Sequence, residues 1–399
     1  MNFIKLTTLL VRKSAKSIQL VLNEWSKLDA EIETVTASAF CQARQKLKHQ
    51  AFIELNQKCL VSEYYQSNYQ KYLDFRLLAI DCTYFHLPNS ESCQEVFGKI
   101  KIHDPASKKD SFVHARASVL YDILNDICID GVIESRSKSE RELARNHYQH
   151  FANNDLVVLD RGYPGFNIFA ELLVNKVNFV ARCSKIFSKN FKFKGNQQSI
   201  DIEIKSNKYA KNKLEDFDYP EIIQLRALKI KLKTGEYEIL VTSLVDNNKY
   251  PTSLFKEIYG LRWGIETMFK VLKSRLTLEN FTGKSAEAVK QDFYATLFIS
   301  NLETILTEDL DQDLSNNIKN KNKQKVNKAV SFNVIRDRAF ELLCSSQDID
   351  PLLGELSKLM LMNTTAVRKD RVQPERRTQT KRGRDPKIHF HRNVAKMNF

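Results

Sequence analysis

Two short apolar runs, RLLAID at 76–81 and LVVLD at 156–160, each end in an aspartate, and the pattern around them admits few folds. Runs of this length suit buried strands. Residues 112–121 (FVHARASVLY) and 127–133 are strand-like too, and Asn125-Asp126 supplies a turn between them. Ser139 with Glu142 three residues on forms a capping-box pattern, predicting a helix to about residue 153. Pro164 marks the start of another helix, to about residue 176, and NFVAR at 178–182 reads as the next strand. Three strands followed by helix–strand–helix–strand describe a mixed sheet flanked by helices, an α/β domain.

The rest of the chain has a different texture. Residues 1–72 read as helical, with an apolar stripe at Ile18, Leu20, Val21, Leu22 and Trp25. A second segment, SAFCQARQKL at 38–47, carries Arg44 and Lys46, with Lys48 just beyond. Such short helices with basic flanks suit a DNA-binding module, and a helical cap on the next domain fits equally. Residues 183–250 are lysine-rich and strand-like. Leu228, Ile230 and Leu232 alternate there with Lys229, Lys231 and Lys233, giving one apolar and one cationic face, either solvated or turned to a phosphate backbone. A long helix is expected over 251–276 and further helix over 285–310. A polar, low-complexity linker follows at 315–328, then helices at 330–343 and 352–362. The expected organisation is therefore 1–72 helical, 73–182 the first part of the α/β domain, 183–250 a β-rich insertion, 251–310 helices completing the domain, 311–367 helical, and 368–399 a tail. That tail holds eleven Lys/Arg against three Asp/Glu, which suits nucleic acid.

Charge bounds the partners. Lys and Arg number 62 against 48 Asp and Glu, a net charge of +14, which attracts polyanions. No basic amphipathic helix or lipidation motif supports a membrane as that polyanion, and no apolar run is long enough to span one. Seven cysteines, with no Cys-x-x-Cys pair, are neither a disulfide framework nor a zinc pattern. His147 and His150 sit three apart but lack a third ligand nearby, so a solvated helix face is the expectation for them. Residues 1–16 lack the apolar core of a signal peptide, and a soluble, cytoplasmic, nucleoid-associated protein is expected.

The 251–276 helix adds a second pattern. Leu254, Ile258, Leu261, Ile265, Met268 and Leu272 step by three and four and form a core face. Tyr259, Arg262, Glu266 and Lys273 fall at roughly 0°, 300°, 340° and 320° on a helix of 3.6 residues per turn. They share one strip, a carboxylate flanked by two cations and a phenol. A solvated Arg262–Glu266 ion pair is the simpler reading of that strip. If Asp81, Asp160 and Glu266 meet, metal is what reconciles them. Two carboxylates ~4 Å apart repel by ~4 kcal/mol at an effective dielectric near 20. Mg²⁺ and Mn²⁺ prefer oxygen ligands, and a pair of such ions can serve both the attacking and the leaving oxygen of a phosphoryl transfer.

YGLRWGIETMFKVLK at 259–273 resembles the Y-(2)-R-(3)-E-(6)-K signature of DDE insertion-sequence transposases of the IS-four group. DCT at 81–83 and LDRGY at 159–163 resemble that family's first and second aspartate motifs, and 38–47 its N-terminal segment. The resemblance spans about residues 38–285. It implies a ribonuclease-H-like fold with the β-rich segment inserted between the second aspartate and the glutamate. It also implies Asp81, Asp160 and Glu266 as catalytic metal ligands for two Mg²⁺ ions, with Mn²⁺ able to substitute, and Tyr259, Arg262 and Lys273 as phosphate contacts. The implied partners are double-stranded DNA, both terminal inverted repeats and target, and a second copy of the chain in a homodimeric synaptic complex. Some family members hold a flipped base on a Trp in the insertion. Trp25 and Trp263 are the chain's two tryptophans and neither lies there, leaving Tyr237 or Phe217 for that stacking role. Arg161 and Tyr163 match the second motif, with packing or helix-start geometry as their simplest role. An active transposase is the leading expectation, with a non-catalytic DNA-binding relic or a general metal nuclease as alternatives.

Overall fold

A computed structural model describes residues 2–13, 16–27, 35–101, 111–189, 191–206, 219–232, 235–317, 322–344 and 348–367. The basic tail, Phe217 and Lys233 lie outside them. The chain divides into two compact units. One comprises Ile53–Val271 with Lys284–Ala286, the other Met1–Phe52, Leu272–Gly283 and Glu287–Phe399.

The first unit is built on a nine-stranded sheet. Its strands are β1 (Arg76–Leu87), β2 (Ile100–Lys101), β3 (Ser111–Asp122), β4 (Ile127–Ser135), β5 (Asp155–Leu159), β6 (Asn178–Arg182), β7 (Ser199–Lys205), β8 (Ile222–Lys231) and β9 (Tyr237–Thr242). β4, β3 and β1 pair antiparallel, β5 lies parallel to β1, and β6 parallel to β5. Counting only these five strands in chain order, the sheet reads 3-2-1-4-5, the ribonuclease-H-like arrangement. β2 adds to the outer edge of β3. A parallel neighbour requires a crossover, and the Glu140–Arg145 and Phe166–Val174 helices provide those before and after β5. The Ser139–Glu142 capping box is present, although the α-helix ends at Arg145 and a short 3₁₀ turn, Tyr148–His150, replaces its expected continuation.

β5 is buried along its whole length, as are the first five residues of β1. Continuous apolar runs rather than alternation are what parallel strands covered on both faces demand. Leu77, Leu78, Leu156, Val157 and Val158 are fully enclosed, each contributing about 1.5–3 kcal/mol. Phe169 of the second crossover helix stacks on Phe179 of β6 at 4.6 Å. The lysine-rich segment continues the same sheet: β9 pairs with β6, β8 with β9 and β7 with β8, all antiparallel. Leu228 and Ile230 are buried there and Lys231 is exposed, as the alternation predicts.

The second unit is mainly helical, including Phe3–Arg12, Ile18–Trp25, Ala37–Lys46, the 31-residue Ala286–Asn316, Lys328–Asp337 and Asp350–Leu361. Arg44, read from sequence as part of a basic flank, is buried. Its guanidinium donates to Asp292 and Thr282 at 2.8 Å, Gln291 at 2.7 Å and the Ala288 carbonyl at 3.0 Å. That side chain is committed to the internal structure of this unit. Within the stretch expected to be a polar linker, Gln324–Val326 pairs antiparallel with Thr364–Ala366. Among the described residues, no helix is long and apolar enough to cross a membrane.

Candidate active site

Strand register sets the site. In the parallel pair β1–β5, Arg76 lies opposite Asp155 and Ala79 opposite Val158, so two residues further on Asp81 and Asp160 stand at the same level. Asp81 does not end its strand, contrary to the sequence expectation. β1 runs on to Leu87 because its other edge remains paired with β3, with Asp81 opposite Val119. Asp160 does follow directly on β5.

Each carboxylate has a backbone partner. The Cys82 N–H donates to Asp81 at 2.8 Å and the Gly162 N–H to Asp160 at 2.7 Å. Burial, with the like charges of Asp160 and Glu266, raises the Asp81 pKa to about 6, against the Cys82 hydrogen bond and Arg262. Asp81 thus lies within electrostatic range of both Asp160 and Glu266.

The expected long helix is interrupted at Arg262, giving Leu254–Leu261 and Trp263–Ser274. Tight bonds bracket the break, from the Arg262 N–H to the Tyr259 carbonyl and from the Ile265 N–H to the Arg262 carbonyl, both 3.2 Å. Gly264, just past the break, approaches the end of β3 so closely that a Cβ would meet Ile123 at 3.1 Å. Tyr259, Arg262 and Glu266 still come together. Arg262 donates to Glu266 at 2.6 Å and stands 3.8 Å from Asp81, its guanidinium joining two of the three acids. Burial disfavours its charge, but Tyr259, Glu266 and Asp81 outweigh that and raise its pKa. The strip is thus not the simple solvated ion pair, since Arg262 is buried. Tyr259 is buried beneath it, its phenol pKa raised by burial against the pull of Arg262 and Arg182. Lys273, seven residues beyond Glu266, belongs to the other compact unit and is half-buried. Burial lowers its pKa against the attraction of Glu279.

Among the described residues, no three His, Cys, Asp or Glu side chains are already gathered as a metal-ligand set. The chemistry of the donors nevertheless fits a hard divalent cation. Three carboxylates supply oxygen, and the Asp81 pKa is raised first by burial and then by the charges of Asp160 and Glu266, which a bound cation would offset. Arg262 supplies part of the neutralisation here.

Two neighbours, Arg141 and Glu140, were not singled out from sequence. Arg141 donates to the carbonyls of Gly162 at 3.0 Å and Pro164 at 2.6 Å, clamping the loop that carries Asp160. Glu140 approaches the same loop, where a Cβ on Gly162 would lie 2.9 Å from its carboxylate and 3.1 Å from that of Asp160. Tyr163 is fully buried, its hydroxyl 3.6 Å from the Cys82 sulfur, so it packs between the two aspartate segments, whereas Arg161 is exposed. His147 is fully buried, against the expectation of a solvated face. Its ring lies 2.7 Å from Asp130 and 2.8 Å from Ser118.

The family described as Transposase DDE domain matches residues 73–302, the stretch that holds all three acids. The chain belongs to that family. Transposase InsG for insertion sequence element IS4, from Escherichia coli strain K12, is 22% identical over 275 residues. That similarity covers 67% of this chain and 60% of the relative, so less than two thirds of InsG is spanned. Among solved structures, the piggyBac transposase synaptic complex with hairpin DNA is similar over 90% of this chain and 75% of that chain, at 12% identity and a TM-score of 0.42. The β1–β5 register sets Asp81 beside Asp160, and Arg262 contacts both Asp81 and Glu266.

Proposed function

We propose that this chain is a cut-and-paste DNA transposase, cleaving the ends of an insertion sequence and transferring the freed ends to target DNA. The observation that carries the reading is that the parallel β1–β5 register sets Asp160, just past β5, level with Asp81 within β1, with Arg262 joining Asp81 to Glu266. Asp81, Asp160 and Glu266 would hold divalent metal, Mg²⁺ or Mn²⁺, two ions per site. Such ions would supply activation of the attacking oxygen and stabilisation of the leaving one. The residues themselves do the positioning. Backbone N–H groups of Cys82 and Gly162 aim the two aspartates, and the flat fork of Arg262 suits a phosphate once the acids are otherwise neutralised. Tyr259 and Lys273 are the further phosphate contacts. Double-stranded DNA with terminal inverted repeats is the substrate, and a homodimer pairs two ends.

The test is cleavage of a DNA fragment carrying the gene's own flanks, with Mg²⁺ or Mn²⁺, by wild type and Asp160→Asn. Metal-dependent nicks at a matched pair of flanking positions, absent in the variant, are expected. Nicks without preference for those positions would make the chain a general nuclease, and flank binding without cleavage a DNA-binding relic.

A further inference from the structure

The Glu140–Arg145 and Phe166–Val174 helices border a cleft of about 520 Å³ that opens beside Asp160. Its lining includes Arg116, Arg141, Arg145 and Gly162, with Glu140 as the one acid among its lining residues. Gly162, one of its lining residues, donates its backbone N–H to the Asp160 carboxylate at 2.7 Å.

The cleft is continuous, through Arg116, with an open part of the sheet. Side chains alternate along a strand, so Cys82, Tyr84 and His86 of β1 share a face with Ser118, Arg116 and His114, their partners on β3. The first crossover and the turn after it cover the Ser118 end, where His147 is bonded. Tyr84 at the other end is 38% exposed. The guanidiniums of Arg116 and Arg136 lie 4.8 Å and 5.1 Å from its ring centre, and Arg116 also donates to its hydroxyl. His86 and His114 meet at 2.6 Å, and Arg136 reaches His114 at 3.4 Å. Glu134, opposite Arg116 on β4, is the acid nearest in register.

We propose that the cleft and the Tyr84 face together form a track for one strand of DNA, leading away from the scissile phosphate. The inference rests on the transposase reading for the identity of that phosphate. Arg145 is paired with Glu171 at 2.8 Å, so charge complementarity toward a polyanion rests on Arg116, Arg136 and Arg141, set against Glu140 and Glu134. A cleft of this size admits a single strand rather than a duplex. Planar guanidinium and aromatic surfaces stack on bases of any sequence, while the guanidinium forks pair with phosphates.

The experiment measures binding of a fluorescent oligonucleotide carrying the flank with a single-stranded extension, without metal, over a range of salt. Wild type is compared with Arg136→Glu and Tyr84→Ala, both at exposed positions, with thermal unfolding confirming that each remains folded. The salt slope is expected to fall by about one for Arg136→Glu, the signature of a lost phosphate contact. A photoreactive uracil in the extension should cross-link to wild type and lose most of its yield with Tyr84→Ala. Unchanged slope and yield in folded variants would overturn the track, even where wild type cleaves its flanks normally. Failure of wild type to cleave any flank, with the slope and cross-link behaving as expected, would instead remove the transposase reading and leave a strand-binding surface.

Discussion

Arg76 and Asp155 occupy opposed positions on two parallel strands and meet as a two-pronged ion pair, each contact 2.8 Å long. Five residues further along each strand stand Asp81 and Asp160. The Asp155 side chain is fully buried and that of Arg76 nearly so. A pair of this kind contributes little net stability, because desolvation offsets the attraction, but it penalises every other register. Sliding β5 by one residue would leave both charges buried alone and would turn Asp160 to the opposite face.

Removing one partner should therefore be costly. Asp155→Ala is expected to destabilise the protein by about 3–5 kcal/mol, the usual cost of an uncompensated buried charge. The double variant Arg76→Met with Asp155→Leu should recover most of that stability while cleaving DNA poorly, since its register is no longer enforced. Denaturant unfolding and flank cleavage measure the two separately. Full activity in the double variant would show that the apolar contacts alone set the register.

Gly162→Ala places a methyl group against the ends of two side chains, at 2.9 Å from Glu140 and 3.1 Å from Asp160. Both ends can move, so unfolding should shift by less than about 1 kcal/mol. Asp160 would be pushed from its hydrogen bond, and displacement of a reacting group by about 1 Å can cost ~10²-fold in rate. Adding Glu140→Ala opens one side and should restore part of the cleavage. A Gly162→Ala protein as active as wild type would mean that Asp160 tolerates displacement.

Tyr163→Phe removes only the hydroxyl that touches the Cys82 sulfur, and stability is expected to change by about 1 kcal/mol or less. Tyr163→Ala removes a fully buried ring and should cost about 3–5 kcal/mol. If the Phe variant lost cleavage while folding normally, the hydroxyl would have a part in the chemistry rather than in packing.

Lys13 supplies a pH test remote from the acids. Its ammonium is fully buried and donates to the carbonyls of Thr277 at 3.1 Å and Leu278 at 3.2 Å. Burial, only partly offset by Asp292 and reinforced by Arg336 and Arg44, lowers its pKa from 10.5 to about 8. Between those values the unfolded chain holds the proton and the folded one releases it, so stability rises with pH across that window. Relative to Lys13→Met, wild type should gain on the order of 3 kcal/mol between pH 7 and pH 10. A stability difference flat across that range would contradict the burial of this charge.

The two aspartates, the signature around Glu266 and the order of strands and helices were legible in the sequence, because each is written in local chemistry. An apolar run ending in an acid, a capping box and residues recurring at helical spacing all act over a few positions. The continuation of the sheet through β9, β8 and β7 was not legible, since a strand's partner depends on which edge remains open after the other strands have paired. The same holds for Asp81, which sits within β1 because β3 goes on pairing with it. A trace of the register did stand in the sequence: RLLAID and DLVVLD each carry a charged residue five positions before the aspartate. Only the parallel pairing turned those two charges into partners. Arg44 and His147 show the reverse, because a cation or an imidazole looks solvent-seeking until distant residues provide it with buried partners. Local pattern by itself determined which residues could carry charge and chemistry; long-range packing, through burial and register, decided which of them meet.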